Sequence, residues 1–184
     1  MIPSVQEILS SLYGAWRLVL RDAEGMRWLT LTVPGFWNSF FGIVLVLPIV
    51  LVVATLPGAG KEVLEISYGM LAFETVVAWT IRPFILLGLC YLLNRTQRFV
   101  ALMIAWNWVS VMQTVIFTIA AMLIAVIPGI SGLLFLVVLA VMLLIDYFVA
   151  RTALDVPGGA ATAVVIVMLL ASLMLELAVF GGDA

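Results

Sequence analysis

Four ionisable side chains stand inside long apolar stretches of this 184-residue chain: Glu74, Arg82, Asp146 and Glu176. A charge at the centre of an apolar membrane helix costs about 2.5–3.5 kcal/mol, so each needs a partner, a boundary position or a task. A carboxyl so placed can serve a proton or an ion, and a guanidinium can hold an anion. Neutral polar residues gather on one further apolar stretch: Asn107, Ser110, Gln113, Thr114 and Thr118. Asn107, Ser110 and Thr114 follow helical spacing, with Gln113 beside them. Such a stripe either lines a water-filled cavity or bonds neighbouring helices at about 0.6–2 kcal/mol each, and interhelical bonding is the default.

Much other chemistry is missing. The chain has no histidine, which removes the commonest general base and metal ligand and with it any Ser-His-Asp or HExxH arrangement. Its single cysteine, Cys90, lies in an apolar run, so it is expected to pack as a small hydrophobe rather than bind metal. A net charge of −2 offers no basic stripe for nucleic acid. Pro57-Gly58-Ala59-Gly60-Lys61 approaches a phosphate loop, but Thr55 replaces the first glycine and Glu62 the Ser/Thr. No catalytic residue, cofactor or metal site is therefore expected. An acid–base enzyme using Glu74 or Asp146 has no motif behind it.

These residues must be positioned by apolar helices. Charged residues are 10% of the chain, where a soluble domain carries about a quarter, and the apolar residues come in blocks long enough to cross a bilayer. The blocks predict five crossings, over about 36–56, 68–93, 99–127, 131–150 and 159–180. Pro48 and Arg82-Pro83 interrupt the first two. The third exceeds the ~30 Å hydrocarbon core at about 1.5 Å per residue, which puts its turns up to Trp108 at the interface or tilts the helix. Residues 1–35 form a separate unit. Val5, Ile8, Leu9, Leu12, Tyr13, Trp16, Val19 and Leu20 follow helical spacing and predict an amphipathic helix on the membrane surface, or else one folded against the bundle. Met1–Ser11 does not read as a signal peptide, Pro34-Gly35 predicts a turn, and 28–33 alternates like a lone strand with nothing to pair with. The expected class is all-α: a five-helix transmembrane bundle (36–184) with an N-terminal interfacial helix.

Depth separates the four ionisable groups. Glu176 and Glu74 lie about one and two turns from their helix ends, so boundary carboxylates are favoured over an ion site. Arg82 and Asp146 are deeper, about 9 Å apart in depth on upright helices, and an Arg82–Asp146 ion pair is predicted. A structural pair is favoured over an anion site centred on Arg82.

The layout resembles the Yip1-type membrane proteins. Tyr13-Gly14-Ala15-Trp16-Arg17-Leu18 and Gly35-Phe36-Trp37-Asn38-Ser39-Phe40 resemble segments of small bacterial inner-membrane proteins. The resemblance implies the layout and no chemistry. The reading preferred on sequence is a binding, scaffolding or assembly component whose partners are the lipid bilayer and another membrane protein or itself. Its rival is a small permease or channel subunit using Arg82, Asp146 and Glu74. A continuous polar cavity meeting Arg82 favours the rival, and a dry core pairing Arg82 with Asp146 favours the scaffold. Arg17, Arg21, Arg27, Arg95, Arg98 and Arg151 fall on one side of the predicted topology against Lys61 on the other, which makes the arginine side cytoplasmic. A periplasmic reporter fused after residue 184 should therefore be active, and activity of a cytoplasmic reporter there would overturn this topology.

Overall fold

Ser4 opens the first helix, α1 (Val5–Val19), by accepting the Glu7 N–H at 3.1 Å. Ser4 and Glu7 have the spacing of a capping box. The Glu7 carboxylate instead accepts from Asn38 Nδ2 at 2.9 and 3.0 Å and ties α1 to the next helix. The computed structural model describes residues 3–56 and 68–180, so the predicted loop with Lys61 and the tail lie outside the described residues. The described residues are helical and contain no strand. A 3-10 helix over Ala23–Trp28 follows α1, then α2 (Val33–Ser39), α3 (Gly42–Val53), α4 (Tyr68–Leu92), α5 (Phe99–Val126), α6 (Ser131–Leu154) and α7 (Gly158–Phe180). Five segments are long and apolar enough to cross a membrane: Val33–Val53, which combines α2 and α3, and those built on α4, α5, α6 and α7.

Several local expectations change. Pro34-Gly35 is not a turn but the first turn of α2, where a proline lacks no helical partner, and Thr32 caps that helix by accepting the Gly35 N–H at 3.2 Å. The alternating stretch 28–33 forms no strand, as the lack of a pairing partner implies: Trp28 ends the 3-10 helix, 29–32 is irregular and Val33 opens α2. Arg82-Pro83 does not break α4, which runs unbroken over 25 residues. The fourth span continues one turn further than predicted, to Leu154, where Asp155 ends it in the left-handed conformation at φ 54°.

The core sits on the first half of α5. Every residue from Leu102 to Val109 is buried, including Trp106 and Trp108. Helices α1, α2, α3 and α6 sheathe these turns within the protein. At 28 residues α5 is about 42 Å long. Helices α3, α4, α7, α6 and α5 follow one another around the bundle in that order of packing.

Helix α1 has two apolar faces. Ser11, Gly14, Ala15 and Leu18 are buried against the protein, which is the bundle-packed alternative of the two considered from sequence. Val5, Leu9, Tyr13, Trp16 and Leu20 remain exposed in a second stripe. The return segment is fixed by Ser10 Oγ donating to the Trp28 carbonyl at 2.7 Å and by Tyr13 meeting Trp28 edge to face at 4.7 Å. Arg17 Nε donates to Asp22 at 2.6 Å. The Glu24 N–H and Arg17 hold the Asp22 carboxyl below its ordinary range, so its contribution to stability is present at neutral pH and is lost as acid protonates it. An Arg98–Asp155 contact at 3.8 Å joins the loops after α4 and α6 at the same end of the bundle.

Gly14 and Gly25 allow this fold-back. A Cβ on Gly25 would lie 2.5 Å from the Gly14 carbonyl oxygen and 2.9 Å from Leu18 Cγ. Gly25→Ala should cost about 1–3 kcal/mol by overpacking, read as a lower unfolding midpoint in detergent. An unchanged midpoint would mean that the Gly14–Gly25 approach is not a tight contact.

Candidate functional site

Arg82 projects from the middle of α4, 14 residues after Tyr68 and 10 before Leu92. Pro83 beside it removes one backbone N–H and leaves the Trp79 carbonyl without its usual helical donor. Trp79, one turn earlier on the same face, lies under the guanidinium with its ring centre 5.2 Å from Cζ. Arg82 also donates to Ser110 Oγ on α5 at 3.2 Å. A guanidinium offers five N–H donors, and the described residues give this one a single hydrogen bond and a ring face.

The predicted Arg82–Asp146 ion pair does not form. No guanidinium nitrogen comes within 4.0 Å of the carboxylate, and the ion pairs among the described residues all lie in the N-terminal segment or the loops. Asp146 instead accepts from Gln113 Nε2 at 2.8 Å, and the same amide reaches the Met142 carbonyl at 3.4 Å. Helix α5 stands between the two charges and serves each with a different residue, Ser110 for Arg82 and Gln113 for Asp146. The charges still lie within electrostatic range of each other.

Arg82 lines an open cavity of about 340 Å³ between α3, α4, α5 and α6. Arg82, Ser110, Gln113 and Thr114 are its polar lining, and Val46, Val50, Phe117, Phe135, Val138 and Leu139 contribute apolar walls. The Thr114 hydroxyl is already committed to the Ser110 carbonyl at 2.9 Å. The guanidinium therefore supplies the cavity's strongest free donors. Geometrically this is an apolar cup with a cationic floor, suited to a carboxylate or a phosphate that carries an apolar body.

The remaining residues of the predicted polar set divide. Asn107 points away from the cavity, is fully buried, and donates to Ser39 Oγ at 2.9 Å on α2. Ser39 Oγ in turn donates a hydrogen bond to the Phe36 carbonyl at 2.7 Å. The Oδ1 atoms of Asn38 and Asn107 are buried with no hydrogen-bond partner among the described residues. Thr118 bonds only its own helix, at the Thr114 carbonyl. Glu74, half-buried, and Glu176, exposed, are not joined to Arg82 or Asp146, but their charges lie within range of each other between α4 and α7. Cys90 is buried and unpaired, as its apolar run predicts.

Two participants were not singled out from the sequence. Trp79 could have been found by its i, i+3 spacing to Arg82. The Glu7–Asn38 bond, whose ends are 31 positions apart in sequence, has no local signal. No family model, curated protein or solved structure matches the chain.

The relay predicts where the energetic coupling lies. In double-mutant cycles read by unfolding in detergent, Gln113→Leu and Asp146→Asn should couple by about 0.5–3 kcal/mol. Arg82→Gln and Asp146→Asn should couple more weakly. A stronger coupling for the Arg82 cycle would restore the direct pair.

Proposed function

We propose that the chain crosses a bilayer five times and binds a small amphiphilic anion in the Arg82 cavity, as a small permease or a subunit of one. The observation that carries this reading is a guanidinium with no carboxylate contact on the floor of an apolar cavity of about 340 Å³. That size falls within the roughly 300–1,000 Å³ range of small-molecule sites. A guanidinium placed in the middle of a bilayer needs a compensating group, and no carboxylate among the described residues contacts it. A bound anion supplies that compensation. Asp146 stays close enough to compete electrostatically with the ligand, which favours reversible over permanent occupancy.

The arginine-rich end, formed by α1 and the loops after α4 and α6, faces the cytoplasm in this proposal by the positive-inside rule. The membrane is a bacterial inner membrane, in keeping with seven arginines against one lysine and Ala/Val/Leu-rich helices. A scaffolding role is the second reading, and the exposed stripe Val5, Leu9, Tyr13 and Trp16 on α1 is the observation that favours it.

Equilibrium binding of decanoate and decyl phosphate to the purified protein tests the proposal. Arg82→Gln should weaken both by at least about tenfold, or about 1.4 kcal/mol, while Arg82→Lys retains part of the affinity. Equal affinity in the wild type and in a folded Arg82→Gln variant would sink the proposal.

A further inference from the structure

Arg82 borders a second cleft. Helix α4 turns Trp79 toward the first cavity and Ala78, Ile81 and Ile85 toward a separate space beside α7, where Ala171 and Leu175 face them. This space is also about 340 Å³, and Arg82 is the residue common to both linings. Its other polar side chain, Ser172, donates its hydroxyl to the Met168 carbonyl at 3.0 Å. Two apolar compartments of equal volume thus meet at one cation.

Resting on the Arg82 site proposed above, we infer that its ligand is a two-chain anionic lipid, with the headgroup at Arg82 and one acyl chain in each compartment. Charge complementarity fixes the headgroup. Glu74 stands one turn beyond Ala78 and Glu176 one turn beyond Ser172, so the far rim of the α4–α7 cleft carries carboxyl groups, and Arg82 is the one cationic side chain in its lining. Exposure points to the bilayer as the source. Ile81 and Met174, both lining the cleft, are 40% and 69% exposed, which leaves apolar lips open to acyl chains entering sideways. A free phosphate engages the guanidinium but neither wall, and a single-chain anion engages one.

The test measures binding of dioleoyl phosphatidic acid, dioleoyl phosphatidylcholine, oleate and inorganic phosphate to the full chain purified in detergent, by native mass spectrometry. Phosphatidic acid should bind at least tenfold more tightly than each of the others. Ala171→Trp, which fills the α4–α7 cleft, should weaken phosphatidic acid at least tenfold more than oleate, and Ala78→Leu on the facing helix provides a milder filling should the first variant fail to fold. If filling the cleft weakens oleate and phosphatidic acid alike, or neither, the two-compartment inference is wrong while the Arg82 site stands. Equal binding of phosphatidylcholine and phosphatidic acid would overturn the headgroup assignment. If Arg82→Gln leaves every anion's affinity unchanged, the site itself is refuted, an outcome separate from the failure of the lipid inference.

Discussion

The enclosure of α5 between Leu102 and Val109 organises the rest of the structure. A helix buried on all sides for eight consecutive residues must be covered from every direction, and α1 shares that cover with α2, α3 and α6. This explains why α1 is apolar on both faces: one face closes over α5, and the other continues the apolar exterior. The Gly14–Gly25 approach and the Asp22–Arg17 contact serve the same end by turning the chain back beneath α1. The Asn107–Ser39 bond then fixes α2 against the enclosed helix in a place where no water can substitute.

A helix so enclosed at one end carries its polar residues into the middle of the bundle at fixed angles. Ser110 and Gln113 lie three residues apart and about 60° around the helix, enough to face different neighbours. Ser110 meets α4 and Gln113 meets α6, so Arg82 and Asp146 are each served by α5 before they can reach each other. The consequence is chemical. A closed ion pair would have filled its own donors and acceptors, whereas the divided arrangement leaves a cation facing a cavity.

Polar groups therefore do two kinds of work in this bundle. At the α1 end, Glu7, Asn38, Ser39 and Asn107 join helices and line none of the cavities described above. In the middle, Arg82 touches two compartments and has one hydrogen bond among the described residues. Glu74 and Glu176 belong to neither group and mark the opposite end of the α4–α7 cleft, consistent with their shallow positions in their helices.

Much of this was legible in the residues alone. Uninterrupted apolar runs set the number of long helices, because a backbone in hydrocarbon must satisfy its own hydrogen bonds and needs a fixed length to cross. The rarity of charge within those runs marked Glu74, Arg82, Asp146 and Glu176 directly, since each is costly there. Helical periodicity found α1, yet it could not say which apolar face would be buried, for hydrophobicity alone does not distinguish a protein neighbour from lipid. Partners were not legible. Depth along two helices suggested Arg82 with Asp146, but a pairing also depends on rotation about each helix axis and on what stands between. Those angles are set by packing around Leu102–Val109, a sum of contacts from α1, α2, α3 and α6 that no local stretch of sequence encodes. The sequence by itself determined that these charges would lie deep; only the tertiary structure decided that they would stand apart, one of them facing open space.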